Sequence, residues 1–451
     1  MAVAHQFADF LASTTTAGTR AIAQAKAALF DLTIAAIAGY NTKGALAARE
    51  AARSSWGDGA APVWFAGERL TIPGAAFANS AAASMVDLDD GHRAAAGHPG
   101  ASIIPAVLAT AAVHGAADER ILTAIALGYD VAVRIAASRD FDTLTTMVSG
   151  PWVGHGAAAA AAWLRGLDTP AIEQAIAIAG ATAPNLSAIA YSKVMGNHIK
   201  EGIPWATATA LVAVELAEAG FTGPVDLLDN EAIYNRSQLL DGLGSSWAIN
   251  GIYFKPYGCC RWAHSAIDAV LELQSQFGIE ASRIETVEID TFSWALRLNN
   301  EVAPLTVESA QYSVPFCVAM ALARGADALV QIEQDDISRA ETIALARRIR
   351  LGIDPAFDAM FPQAVPTRVR IKTSDGVVST EVAVPLGEPT NPMDWSALEN
   401  KFRAVADRRL DARCRDRFRT AFEDLKQGRL EKLLSALAMP LVRGSRHAQE
   451  A

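Results

Sequence analysis

From residue 5 to about residue 260, apolar side chains recur every three or four positions, the period of helices that bury one face or all of it. "TRAIAQAKAALFDLTIAAIAGY" predicts a helix closing at Gly39, and "DERILTAIALGYDVAVRIAAS" a second with Asp118 or Glu119 in its first turn. "TPAIEQAIAIAGATA" reads as a threonine cap followed by proline at the first helical position. "EGIPWATATALVAVELAEAGFTG" runs to a glycine stop at Gly220. The many alanines let helices approach closely, which suits a packed all-helical domain. After Arg261 the period changes. "SRIETVEIDTFS" alternates and is rich in β-branched residues, and "TRVRIKTSDGVVSTEVAVPL" is two alternating runs about Ser374-Asp375-Gly376, a hairpin signal. Helical patterns lie between them at 308–324 and 335–350, and the helical period returns after "GEPTNPMDW".

A chain of 451 residues is long for one core. The pattern predicts a mainly α protein: a discontinuous all-helical domain from residues 1–261 and 392–451, and a smaller α+β lid domain over 262–391. About half the residues are hydrophobic and a fifth charged, a globular composition. The net charge of −10, without a basic face, excludes nucleic acid as the expected partner. The N-terminal "MAVAHQFADFLASTTT" has no basic stretch followed by an apolar core, and "GAAAAAAWLRGL" is too short to span a bilayer, so no membrane partner is expected. Cys259, Cys260, Cys317 and Cys414 form neither a zinc spacing nor a disulfide framework. A reduced, cytoplasmic enzyme is the expectation.

Three stretches concentrate ionisable groups. "DLDDGHRAAAGHPG" holds Asp87, Asp89, Asp90, His92, Arg93 and His98. As a metal site its D-x-D-D-x-H spacing fits no zinc pattern, and magnesium usually accompanies a phosphorylated substrate. As the acid of a carbocation cyclase it lacks partners, because aromatics make up only 7% of the chain and cations need aromatic walls. The aspartates could equally be helix caps beside a His98-Pro99-Gly100 turn. "YSKVMGNHIKEG" crowds Lys193, His198 and Lys200 before an apolar helix, where burial could lower a lysine pKa towards that of a useful base; an exposed basic turn is the plainer reading. "YFKPYGCCRWAHSAID" places Lys255, Arg261 and His264 where the composition changes, and such junctions favour ligand clefts or are simple hinges.

In order and spacing, these stretches resemble the 2-methylcitrate dehydratase (MmgE/PrpD) family. "AALFDLTIAAIAGY", "LGYDVAVRIA", "AEAGFTGP", "KPYGCCRWAHSAIDA", "YSVPFCVAMAL" and "NPMDWSALENKFRAVA" extend the likeness over nearly the whole chain. The resemblance implies a large helical domain with a smaller lid, a homodimer, and a site that uses no metal or organic cofactor. Members act on small di- and tricarboxylates. Carried over by position, Asp87 and His98 fall on the family's active-site Asp and His, although the gap between them is one residue longer than in the decarboxylase branch. Lys255 falls on the lysine of K-P-Y-P, where it would hold a substrate carboxylate, and Arg261 and His264 fit the C-x-x-x-H pattern.

The chain also departs from that pattern. Met147 stands near a family histidine, Asn197 on a lysine, Lys200 on a histidine, Phe316 on a tyrosine, and Cys260 on a further histidine of the decarboxylases. A dehydratase must protonate a leaving hydroxyl, whereas an epimerase need only remove and return a proton. The altered set resembles the iminodisuccinate epimerase branch. On that reading Lys200 abstracts an α-proton, with His98 or Cys260 returning it and Asp87 orienting His98. Lys255, with Arg261 or Arg93 and His98, clamps a small anionic carboxylate, with His92, His198, Asn197, Met147 and Phe316 lining the site. The alternatives are a dehydratase or other lyase of a citrate-like acid, and a dimeric binding protein without catalysis.

Overall fold

A computed structural model describes residues 1–141, 143–144, 147–184 and 196–441. The helical period resolves into helices Val3–Ser13, Thr19–Gly39, Lys43–Trp56, Ile72–Ser84, Gly100–His114, Asp118–Ala137, Gly150–Leu164, Thr169–Ala181 and Ile203–Glu218. At their centre lies Gly150–Leu164, buried at every position from Trp152 onward and packed against the helices Gly100–His114, Asp118–Ala137, Thr169–Ala181 and Ile203–Glu218. A helix apolar on all sides is stable only inside a core. Its closest crossing needs glycine: a Cβ on Gly156 would lie 2.2 Å from the Gly128 carbonyl oxygen of Asp118–Ala137.

The C-terminal helices Trp395–Arg409, Ala412–Lys426 and Glu431–Ala438 bury Phe402, Phe418, Phe422 and Leu433 in the same cluster. Thr19–Gly39 carries Phe30 to within 4.0 Å of the Phe422 ring and 5.4 Å of the Trp395 ring, centroid to centroid. Among the described residues, Thr19–Gly39 is the one helix long and apolar enough to cross a membrane; 72% of its apolar window is buried in protein.

Short ladders join β1 (Asp58–Pro62) to β2 (Arg69–Leu70) and β3 (Gly91–His92) to β4 (Ile252–Tyr253), both antiparallel. The larger sheet contains β5 (Ile284–Thr291), β6 (Ile349–Ile353), β7 (Thr367–Thr373) and β8 (Gly376–Val382) in the order β6-β5-β7-β8. Only β5 and β6 run parallel. Alternation turns Val287, Ile289, Val369 and Ile371 inward, onto helices His264–Phe277 and Val314–Arg324. Buried apolar residues thus form two clusters, one from residues 3–254 and 393–437 with Val330, the other from 257–371 with Met147. The architecture is mainly α, as expected.

Local details differ from the sequence pattern. The cap of Thr169–Ala181 is Asp168, whose carboxylate accepts from the Ala171 amide, so the threonine is already helical. The 308–324 pattern breaks into Val307–Gln311 and Val314–Arg324, because the Ser313 hydroxyl caps a new helix by accepting from the Phe316 amide. The 335–350 pattern breaks into a 3-10 turn at Asp336–Ser338 and the helix Ala340–Ala346, and Ile349 begins β6. Pairing with β5 overrides helical propensity there.

Candidate active site

The two-residue ladder of β3 and β4 brings the 87–98 loop against the 252–264 segment. Asp87 adopts φ 53°, a left-handed conformation that an aspartate tolerates better than most residues. Both its main-chain oxygen, at 2.8 Å, and its Oδ1, at 2.9 Å, accept from Lys255 Nζ. Lys255 is wholly buried. Burial opposes its charge, yet the Asp87 and Asp89 carboxylates outweigh burial and raise its pKa, so the ammonium persists.

His98 sits across Asp87 from Lys255. Its Nδ1 lies 3.0 Å from the Asp90 carbonyl oxygen and 3.3 Å from Asp89 Oδ2. Nε2 lies 3.8 Å from Asp87 Oδ1 and 3.9 Å from Glu201 Oε1. Burial and Lys255 disfavour the imidazolium, but Asp89 and Glu201 prevail and hold its pKa up at about 9. A partly buried imidazolium beside a buried ammonium is a site for anions and a source of protons.

Glu201 and Lys200 come from a turn that precedes Ile203–Glu218. Three successive residues there have positive φ: Lys200 at 44°, Glu201 at 58° and Gly202 at 74°. With Asp87, the site holds three of the six non-glycine residues of positive φ among those described, a concentration of strain typical of functional positions. The turn aims Glu201 at Ser149, whose amide and hydroxyl donate to Glu201 Oε2 at 2.9 and 2.6 Å. The same Ser149 oxygen accepts from the His98 amide at 2.9 Å. Lys200 is buried, donates to Gln311 Oε1, and lies 5.4 Å from the Tyr312 ring centroid. Burial lowers its pKa, against the pull of Asp87 and Glu308. Its surroundings thus shift Lys200 towards the neutral form, whereas those of His98 hold the imidazole protonated.

Arg261 and Arg93 form a second layer. Both donate to Glu388 Oε1, from Arg261 Nη2 at 2.8 Å and Arg93 Nε at 3.1 Å, and both stack on Tyr253. Burial disfavours the Glu388 carboxylate, but the two arginines hold its pKa below the usual range. Arg261 also donates to His264 Nδ1, while His264 Nε2 faces the Cys259 carbonyl oxygen at 3.2 Å. Burial and Arg261 keep this imidazole neutral.

Several expectations need correction. Burial and Asp87 push the Cys260 thiol pKa up, so it does not supply the expected thiolate. The two arginines face a protein carboxylate, which takes up part of the cationic clamp expected for substrate. His92 is buried with its Nε2 against Gly251, and burial lowers its pKa to about 4, making it a neutral packing residue. Met147 and Phe316 lie inside the second hydrophobic cluster, where chain packing leaves no surface for a substrate. His198 is half-exposed and paired with Glu308 at 3.2 Å, and exposed Asn197 accepts from the Ile199 amide. Neither joins His98. Lys193 lies outside the described residues.

Asp89 and Asp90 also separate. The Asp90 carboxylate accepts from the Gly100 amide at 3.0 Å, at the start of Gly100–His114, and from the Tyr129 hydroxyl at 2.6 Å, whereas Asp89 serves His98. Glu201, Ser149, Gln311, Tyr312 and Glu388 were not foreseen. Glu201 stands beside Lys200 in "IKEG", Tyr312 opens "YSVPFCVAMAL" and Glu388 lies in "GEPTNPMDW", whereas Ser149 and Gln311 carried no signal in the sequence. Ligand atoms of Asp87, Asp89 and His98 lie within 4.8 Å of one another, close enough to hold a metal ion. The fit is poor: the Lys255 ammonium already pairs with Asp87 Oδ1, leaving only Oδ2 without a hydrogen bond among the described residues, and a protonated imidazole cannot ligate.

Residues 5–238 match the MmgE/PrpD N-terminal domain and residues 257–427 the MmgE/PrpD C-terminal domain. Cis-aconitate decarboxylase of Aspergillus terreus is 27% identical over 378 residues, 75% of this chain and 76% of that protein. Cis-aconitate decarboxylase of Homo sapiens is 25% identical over 372 residues, 76% of this chain and 74% of that protein.

Proposed function

The chain belongs to the MmgE/PrpD family, and from that premise we propose that it is a lyase acting on a small di- or tricarboxylate at the centre formed by Asp87, His98, Lys200 and Lys255. The observation that carries this reading is the convergence of His98 Nε2, at 3.8 Å, and the buried Lys255 Nζ, at 2.9 Å, on Asp87 Oδ1. The cis-aconitate decarboxylases among its relatives favour a lyase over an epimerase.

Lys255 binds a substrate carboxylate and stabilises the negative charge that gathers on it in the transition state. In a decarboxylation, the bond to the departing carboxylate breaks, carbon dioxide leaves, and its electron pair takes a proton from His98. In a dehydration, neutral Lys200 takes the proton α to the carboxylate while His98 protonates the leaving hydroxyl. Asp89 and Glu201 keep His98 charged and oriented for either step.

Epimerisation remains the second reading, because Lys200 is a buried lysine of lowered pKa opposite an acid. Proton NMR of the protein in D₂O with cis-aconitate, citrate, 2-methylcitrate and iminodisuccinate separates them. The lyase reading expects loss of carbon dioxide or water, with new methylene or olefinic resonances. Deuterium entering an α-position with inversion and no new olefin would overturn it in favour of the epimerase. Binding without turnover of any of the four acids would point to a non-catalytic protein.

A further inference from the structure

Six lysine or arginine side chains are buried among the described residues: Arg134, Arg139, Lys200, Lys255, Arg261 and Lys401. Four have a carboxylate within 4.0 Å: Asp130 for Arg134, Asp87 for Lys255, Glu388 for Arg261 and Asp31 for Lys401. Lys200 has none, and it stands in the candidate active site. Arg139 is the other. It is only 8% exposed, its Nε donates to the Ala136 carbonyl oxygen at 3.1 Å, and its buried Nη2 has no hydrogen-bond partner among the described residues. A guanidinium withdrawn from water without an anion is costly, and arginine is always charged in proteins.

Arg139 lines a cleft of about 830 Å³ between the helical elements and the 359–363 segment. Arg93 reaches the same cleft, while Phe141, Phe361 and Pro362 give it an apolar wall and Gln238 and Gln363 offer amides. Asp140 is the one carboxylate among the lining residues, and it is exposed. None of Asp87, His98, Lys200 or Lys255 lines it. The volume falls in the range that encloses ligands larger than a small polycarboxylate.

We propose that this cleft is a second binding site, separate from the reacting centre, for an organic carboxylate with an apolar body, its carboxylate paired with Arg139 and its ring or chain laid on Phe141, Phe361 and Pro362. Planar pairing with a guanidinium provides two parallel hydrogen bonds, and the apolar wall selects against acids that are polar throughout.

Calorimetric titration of the full chain with 4-phenylbutyrate, its uncharged amide 4-phenylbutyramide, and acetate tests the site. The expected result is saturable binding of 4-phenylbutyrate, at least tenfold weaker binding of the amide and of acetate, and at least a tenfold loss in Arg139→Gln. Lys200→Gln should change that affinity less than twofold. Should Arg139→Gln fail to fold by circular dichroism, Ala359→Trp decides: it fills the cleft from an exposed position and should abolish binding. No binding to the native chain, equal binding of the amide, or affinity lost in Lys200→Gln but kept in Arg139→Gln would each overturn the proposal. Because the titration reads no turnover, its failure leaves the lyase reading to its own test.

Discussion

At the scale of single residues, the site is an arrangement of buried charges whose partners set their protonation. The His98 pKa rises from 6.5 in the unfolded chain to about 9 in the fold, a difference of ~3 kcal/mol. Because the folded value is the higher one, that stabilisation is complete below about pH 6.5 and disappears as pH climbs through about 9. Melting temperatures recorded from pH 6 to 10 should therefore fall less steeply for His98→Gln than for the native chain. Turnover should decline above about pH 9 as the imidazolium is lost. Lys255→Met leaves the Asp87 carboxylate buried without its cation, a loss of ~3–5 kcal/mol readable in urea unfolding. Restoring the family tyrosine by Phe316→Tyr should not raise activity. It buries a hydroxyl in the second hydrophobic cluster at ~1–3 kcal/mol, because the aromatic ring beside Lys200 belongs to Tyr312.

At the scale of elements, short irregular pieces rather than long helices place the chemistry. The β3–β4 ladder fixes Asp87 against Lys255, the Ser313 cap turns Gln311 and Tyr312 towards Lys200, and the 199–202 turn delivers Lys200 and Glu201 together. Gly202 begins Ile203–Glu218 from the left-handed region at φ 74°. Gly202→Ala should cost ~1–2 kcal/mol in a thermal melt. It should also lower kcat at least tenfold with a smaller change in KM, since Lys200 and Glu201 shift with the turn. Little of this was legible beforehand. Helical runs such as 118–137 follow from their own period, and so does the hairpin at Ser374-Asp375-Gly376. A two-residue ladder or a run of positive φ leaves no period to read, because distant partners hold it.

At the scale of the molecule, the C-terminal helices are tied into the N-terminal helical core. The Phe30, Phe422 and Trp395 rings contribute ~0.5–1.5 kcal/mol per pair beyond their buried area. Lys401 donates to Asp31 at 2.6 Å and to the Leu88 carbonyl oxygen at 2.9 Å, the residue between Asp87 and Asp89. A buried pair of this kind underpins the 87–98 loop from a segment more than 300 residues away in sequence. Lys401→Met should destabilise the chain by ~3–5 kcal/mol, and adding Asp31→Asn should recover part of that loss in a double-mutant cycle of chemical unfolding. Light scattering of the purified chain would check the homodimer expected from the resemblance.

What the sequence determined by itself was the helical class, the change of texture after Arg261 and the family, and it nominated Asp87, His98 and Lys200 as candidate reacting residues and Lys255 as a candidate carboxylate binder. Each rests on local periodicity or on a contiguous motif, and such signals survive without knowledge of contacts. Tertiary structure alone decided which ionisable groups are charged and whom they face. Asp89 rather than Asp87 makes the nearer carboxylate contact to His98, Glu388 draws Arg93 and Arg261 together, and Cys260 remains a thiol. Charge state depends on burial and on neighbours within a few ångströms. Asp89 shares a stretch with His98, but Glu201 reaches His98, Glu388 reaches Arg261 and Asp87 reaches Cys260 from more than 100 residues away, a distance over which no pattern along the chain can reach.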